Sequence, residues 1–144
     1  MMKTIVIDGG YTLALKTRVI FGDTDAMGIV YYGTYFRFFE MGRVELLRRA
    51  GIVYRELTER GIHLPVIEAG CRYLKPAKYD DELSVFVKME EVRGARLKFR
   101  YVIEIGDERI VEGFTEHAFT DSQGKPVRPP HEIKRRLEEI ADAK

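Results

Sequence analysis

Tyr35-Phe36-Arg37-Phe38-Phe39-Glu40-Met41-Gly42 is apolar on nearly every side if it is wound as a helix. A helix apolar all round is normally buried in a core and not laid on a surface. The helical stretch starts at about Gly33 or Thr34 and runs to Ala50, where Gly51 supplies a stop signal. Gly42 inside it costs helix stability. Close approach of another backbone is one reason for a glycine there. What flanks this helix decides what buries it.

Upstream, residues 11–21 read as a strand. Leu13, Leu15, Thr17, Val19 and Phe21 alternate with Lys16 and Arg18. Residues 22–28 hold two glycines and two aspartates and read as a loop. Downstream, a short helical stretch at 54–60 precedes strands at 66–74, 83–92, 96–105 and 110–120. The cleanest alternation is Leu97, Phe99, Tyr101, Ile103 and Ile105. Arg93-Gly94-Ala95 and Gly106-Asp107 mark hairpins. A polar loop at 121–126 leads to a short C-terminal helix from about Pro130. Helix and strand do not alternate, which argues against a doubly wound parallel sheet and for an α+β fold. An antiparallel sheet wrapped around one long central helix fits the order. With no repeat or linker, 1–144 is expected to form a single domain.

The composition agrees. Hydrophobic residues make up 45% of the 144 and charged residues 33%, as in globular chains. With 24 basic and 23 acidic residues the net charge is +1, which argues against a nucleic-acid partner but allows a local basic patch for a phosphorylated ligand. Cys71 is the single cysteine, so no internal disulfide forms. It sits in an apolar, strand-like stretch with no histidine close in sequence, and reads as a core residue and not a nucleophile. Residues 1–10 lack a targeting pattern, and no stretch approaches the roughly 20 apolar residues of a membrane span. A cytoplasmic location is expected.

His63, His117 and His131 lack metal-ligand spacing, and nucleophile elbows, phosphate loops and dinucleotide fingerprints are absent from the sequence. What remains is the segment from Asp23 to Tyr35, which places Asp23 and Asp25 in a glycine-containing loop just before the buried helix. Unpaired N–H groups at a helix start can stabilise an oxyanion. A nearby carboxylate can attack a carbonyl or activate water. The alternative is that both aspartates only cap and shape the loop.

Asp23, Asp25, Gly28, Val30, Tyr35 and Glu40 resemble the signature of the 4-hydroxybenzoyl-CoA thioesterase family of hotdog-fold acyl-CoA thioesterases. The similarity continues through Lys75-Pro76-Ala77, Asp80-Asp81-Glu82-Leu83, Arg93-Gly94 and Lys125-Pro126-Val127-Arg128, and spans about residues 16–134. The resemblance implies a hotdog fold and an acyl-CoA substrate, with Asp25 as catalytic carboxylate and the Tyr32 backbone N–H polarising the thioester carbonyl. It implies no metal or prosthetic group, since coenzyme A belongs to the substrate. It also implies a homo-oligomer, a dimer or a tetramer built from two such dimers, with sheets joined edge to edge and sites between subunits. Gly28, Tyr35 and His63 are candidate substrate contacts, and Lys125 and Arg128 are candidates for the coenzyme A phosphates. Glu40 lies three residues from both Arg37 and Arg43, so a helix ion pair is its simpler role. Two other readings stay open: a non-catalytic acyl-CoA-binding hotdog protein, and a hotdog dehydratase or hydratase. The last is disfavoured because no histidine lies between Met1 and Ile62.

Overall fold

The alternating stretches do form strands. In the computed structural model, which describes residues 6–7 and 9–142, β4 (Glu82–Arg93), β5 (Arg96–Ile105) and β6 (Glu108–Ala118) make a continuous antiparallel meander. Its two turns each carry a glycine at φ +60°, Gly94 and Gly106, the backbone that a two-residue hairpin needs. The register sets Val85 against Ile103 and Ile103 against Val111, and sets Val87 against Tyr101 and Tyr101 against Gly113. These apolar side chains line one face and are buried. On one side β2 (Tyr11–Arg18) pairs with β4 and the short β1 (Val6–Ile7) with β2; on the other, β3 (Val66–Tyr73) pairs with β6. The sheet order is β1-β2-β4-β5-β6-β3, antiparallel throughout.

The helix α1 (Tyr35–Arg49) lies on that apolar face and buries Phe38, Phe39, Gly42, Leu46 and Leu47. Phe39 stacks on Tyr101 at 4.3 Å between ring centroids. A Cβ at Gly42 would lie 2.7 Å from Val87 Cγ2 and 2.9 Å from Val85 Cγ1. The close approach expected at Gly42 is therefore to valine side chains of β4 and not to another backbone. The outer row of the helix, with Arg37, Glu40, Arg48 and Arg49, is exposed. The helix stops where expected. Gly51 takes φ +80°, its N–H donates to the Arg48 carbonyl (2.9 Å), and the Ile52 N–H reaches back to Leu47 (2.9 Å). This paired closure satisfies carbonyls left open at the helix end, and Ile52 is buried beside it. The short α2 (Tyr54–Glu59) follows. The C-terminal α3 (His131–Asp142) packs against β4, with Ile133 and Leu137 in the same core. No helix among the described residues is long and apolar enough to cross a membrane.

Two expectations need correction. The alternation in 11–21 does not hold throughout. The register slips between Leu13 and Leu15, which sends Ala14 into the core and leaves both leucines only half-buried. The strand also stops at Arg18, and Phe21 stands 71% exposed in a 3-10 turn formed by Phe21–Asp23. The turn wins because the Asp23 carboxylate accepts the Ile20 N–H at 2.9 Å, a local bond that competes with the ladder.

A polar chain crosses the core under α1. His117 Nδ1 lies 3.0 Å from the Leu64 carbonyl, so it carries the proton and donates. Nε2 must then accept from the Thr115 hydroxyl (2.8 Å), which in turn accepts from Tyr101 (2.6 Å). Desolvation lowers the His117 pKa from 6.5 to about 4 against the raising effect of the Leu64 bond, and the charge of Arg43 pushes the same way.

Candidate active site

Asp23 and Asp25 are two residues apart, yet their carboxylates do different things. Asp23 is buried; its Oδ2 accepts the Ile20 N–H and its Oδ1 accepts from the Arg37 guanidinium. Its carbonyl accepts the Tyr31 N–H at 2.8 Å. Asp23 thus ties the loop to the first turn of α1. Asp25 closes a tight turn: its N–H donates to Ile29 (2.9 Å) and its carbonyl accepts from Gly28 (3.0 Å). Gly28 sits at φ +79°, which explains the glycine. Asp25 Oδ1 accepts the Met27 N–H at 2.8 Å, while Oδ2 takes no hydrogen bond among the described residues. The loop is clasped to the β3–β4 connection by Val30 N–H donating to Ala77 (2.9 Å) and by the pairing of Ile29 with Lys78.

Tyr32–Thr34 forms a 3-10 turn that runs directly into α1. As the first residue of that turn, Tyr32 presents an N–H with no acceptor among the described residues. The Tyr32 carbonyl accepts from the Tyr73 hydroxyl at 2.8 Å. Asp25, Tyr32 and Tyr35 line one cavity of about 380 Å³ with Ile29, Val30, Tyr73, Leu74, Lys75 and Pro76. Tyr35 is buried, and desolvation pushes its phenol up to about 12, so it stays protonated. Cys71 lies behind Tyr73 on β3, half-buried, and burial raises its thiol as well. Asp25, with one carboxylate oxygen free among the described residues, and Tyr32, with its N–H free among them, thus line the same mostly apolar cavity, a combination suited to hydrolysis of an acyl group.

Other sequence candidates fall elsewhere within one chain. Gly28 shapes the Asp25 turn but does not line the cavity. His63 pairs with Thr120 through two backbone bonds of 2.9 Å, and its Nε2 lies 3.3 Å from Ser122 Oγ. Lys125 and Arg128 are exposed on the loop that follows. Glu40 pairs with Arg43 at 3.6 Å, while Arg37 is taken by Asp23. Sequence reading missed Tyr73. It looked like one more strand residue, and only the three-dimensional pairing of β3 with β6 brings its hydroxyl to the helix entry.

An antiparallel sheet that wraps a long helix, with a carboxylate loop at the helix entry, defines the hotdog thioesterase class. Residues 19–137 match the family model described as the thioesterase-like superfamily, and the chain belongs to that family. A crystal structure of a hypothetical protein from Aquifex aeolicus superposes with a TM-score of 0.82 at 35% identity, covering 85% of this chain and 97% of that one. A hypothetical protein from Thermus thermophilus gives a TM-score of 0.83 at 32% identity, covering 88% and 95%. Acyl-CoA thioesterase YbgC of Haemophilus influenzae is 32% identical over 131 residues, 90% of this chain and 95% of that protein. The protein is a thioester hydrolase of the hotdog fold.

Proposed function

We propose that this protein hydrolyses an acyl-CoA thioester, fatty or aromatic, to the free acid and coenzyme A. Asp25 attacks the carbonyl carbon or takes a proton from the attacking water, and the Tyr32 N–H receives the developing oxyanion. The carbon–sulfur bond then breaks. On the general-base route the sulfur takes the proton that Asp25 received from water. On the nucleophile route coenzyme A leaves as thiolate, and water hydrolyses the acyl–aspartyl anhydride, which frees the acid, restores Asp25 and gives a proton to the thiolate. The observation that supports this reading is the shared cavity, which Asp25 and Tyr32 both line, with one Asp25 oxygen and the Tyr32 N–H left without a partner among the described residues. In this reading the chain is one cytoplasmic domain over 1–144 that works as a homo-oligomer. His63, Lys125 and Arg128 reach the cavity from the neighbouring subunit, and the basic pair meets the coenzyme A phosphates. Loss of a single oxyanion donor costs roughly 3–4 kcal/mol in barrier height.

The test is a panel of short-chain, long-chain and aromatic acyl-CoA thioesters, read by release of free thiol. Asp25→Asn should fold and lose at least about a hundredfold in turnover, the usual order for lost acid–base or nucleophilic help. A well-folded Asp25→Asn protein with most of its activity would refute the role. A wild-type protein that binds acyl-CoA but hydrolyses none of the panel would instead favour a non-catalytic acyl-CoA-binding protein.

A further inference from the structure

The geometry points to Tyr73 as a positioning residue: its phenol holds the Tyr32 carbonyl and thereby aims the Tyr32 N–H at the thioester. This inference rests on the reading of Tyr32 given above. The Tyr73 O–H donates to the Tyr32 carbonyl at 2.8 Å across 41 residues of chain. On the other side of Tyr32, the peptide plane that carries its N–H is held through Tyr31. The Tyr31 carbonyl, in that same plane, accepts the Thr34 N–H (2.9 Å), and the Tyr31 N–H donates to Asp23 (2.8 Å). Tyr73 therefore supplies the anchor at the far end of residue 32. The Tyr73 ring meets Tyr32 edge-on at 6.5 Å and Tyr35 at 5.6 Å, so its own direction is limited by two neighbours. Burial, helped by the Cys71, Tyr35 and Tyr32 side chains nearby, holds the phenol above its ordinary pKa, so the O–H remains a donor throughout the neutral range.

Tyr73 also ends β3, one of the two edge strands of the sheet. The clamp thus ties the helix entry to a strand whose far side is unpaired among the described residues. A small shift of an oxyanion donor is costly, because misplacement by about 1 Å can lower a rate by about a hundredfold. Tyr73→Phe keeps the ring and deletes the clamp.

The experiment measures thioester turnover of wild type, Tyr73→Phe, a semisynthetic protein with an ester in place of the residue 32 amide, and the combination. Tyr73→Phe should lower kcat about tenfold with KM within about twofold, keep its circular dichroism spectrum, and move the residue 32 and 33 amide resonances. In the ester background, where there is no N–H left to aim, the same substitution should change kcat by less than about twofold. A wild-type kcat in Tyr73→Phe, with or without moved resonances, overturns the positioning role while leaving Asp25 and Tyr32 in place. An equal fall in both backgrounds overturns it too, since Tyr73 would then act by another route. If the ester protein keeps wild-type kcat, the Tyr32 reading itself fails and takes this inference with it. A wild-type protein that turns over no thioester marks failure of the proposed function.

Discussion

At the scale of single residues, environment separates groups that look alike in sequence. Asp23 and Asp25 are both loop aspartates, and nothing in their spacing says which one faces a substrate. The structure commits both Asp23 oxygens, to Ile20 and Arg37, and only one of Asp25. The loop that carries Asp25 was legible in the sequence, because a short local motif holds both the turn and the helix start. Tyr73 was not legible, because its meaning depends on a contact between segments 41 residues apart. Cys71 shows the same rule from the other side. It lies next to the cavity, but its half-buried thiol is pushed up by desolvation and so stays a thiol at neutral pH. Cys71→Ala should keep kcat for thioester hydrolysis within about twofold of wild type. A folded variant without turnover would move the nucleophile from Asp25 to the sulfur.

At the scale of elements, patterns of period two and 3.6 were readable wherever an element buries one clean face. The meander of β4, β5 and β6 and the body of α1 followed their patterns because one side of each meets the core. β2 did not, because a one-residue slip exchanges the faces of a strand part-way along it. The contact between α1 and β4 yields a prediction. Alanine at Gly42 gains about 1 kcal/mol of helix propensity. Its Cβ would, however, press on two stiff valines at 2.7 and 2.9 Å. Overpacking of this kind costs about 1–3 kcal/mol. Gly42→Ala should therefore be no more stable than wild type, with a net loss of up to about 2 kcal/mol in urea unfolding. Val87→Ala in the same background should recover part of any loss. The link from β6 to the start of β3 gives another. His117 is neutral in the fold down to about pH 4 and protonates near 6.5 when unfolded. Between those values the unfolded chain binds more protons, so stability must fall as the pH drops. The contribution is fully present above about 6.5 and declines through the window, by about 3 kcal/mol at its lower end. Urea midpoints measured from pH 7 to 4 should show this slope, and His117→Phe should flatten it.

At the scale of the whole molecule, the sheet is open at both edges, ending in the two-residue β1 on one side and in the eight-residue β3 on the other. The inner and outer faces of β3 are largely exposed, with Val66, Ile67, Tyr73 and Leu74 each between 44% and 47% accessible near one edge. Exposed apolar side chains on an unpaired strand invite another strand. Sedimentation at micromolar concentration should give a dimer or tetramer, and a fully active monomer would contradict the proposed assembly. Such an assembly would explain why His63, Lys125 and Arg128 lie away from Asp25 in one chain, a separation that a single sequence does not encode. The connectivity of the meander also bears on the route to the native state. β4, β5 and β6 are neighbours in sequence and in space, joined by two-residue turns. Their pairing closes short loops, whereas β2 must reach β4 across α1 and β3 must bypass β4 and β5 to find β6. Loop-closure entropy favours the local pairings as the earliest contacts. The cavity, whose wall includes Tyr73 and Leu74 at the end of β3, then forms after them, so a newly made chain would hold a nearly complete three-stranded sheet before it holds that cavity.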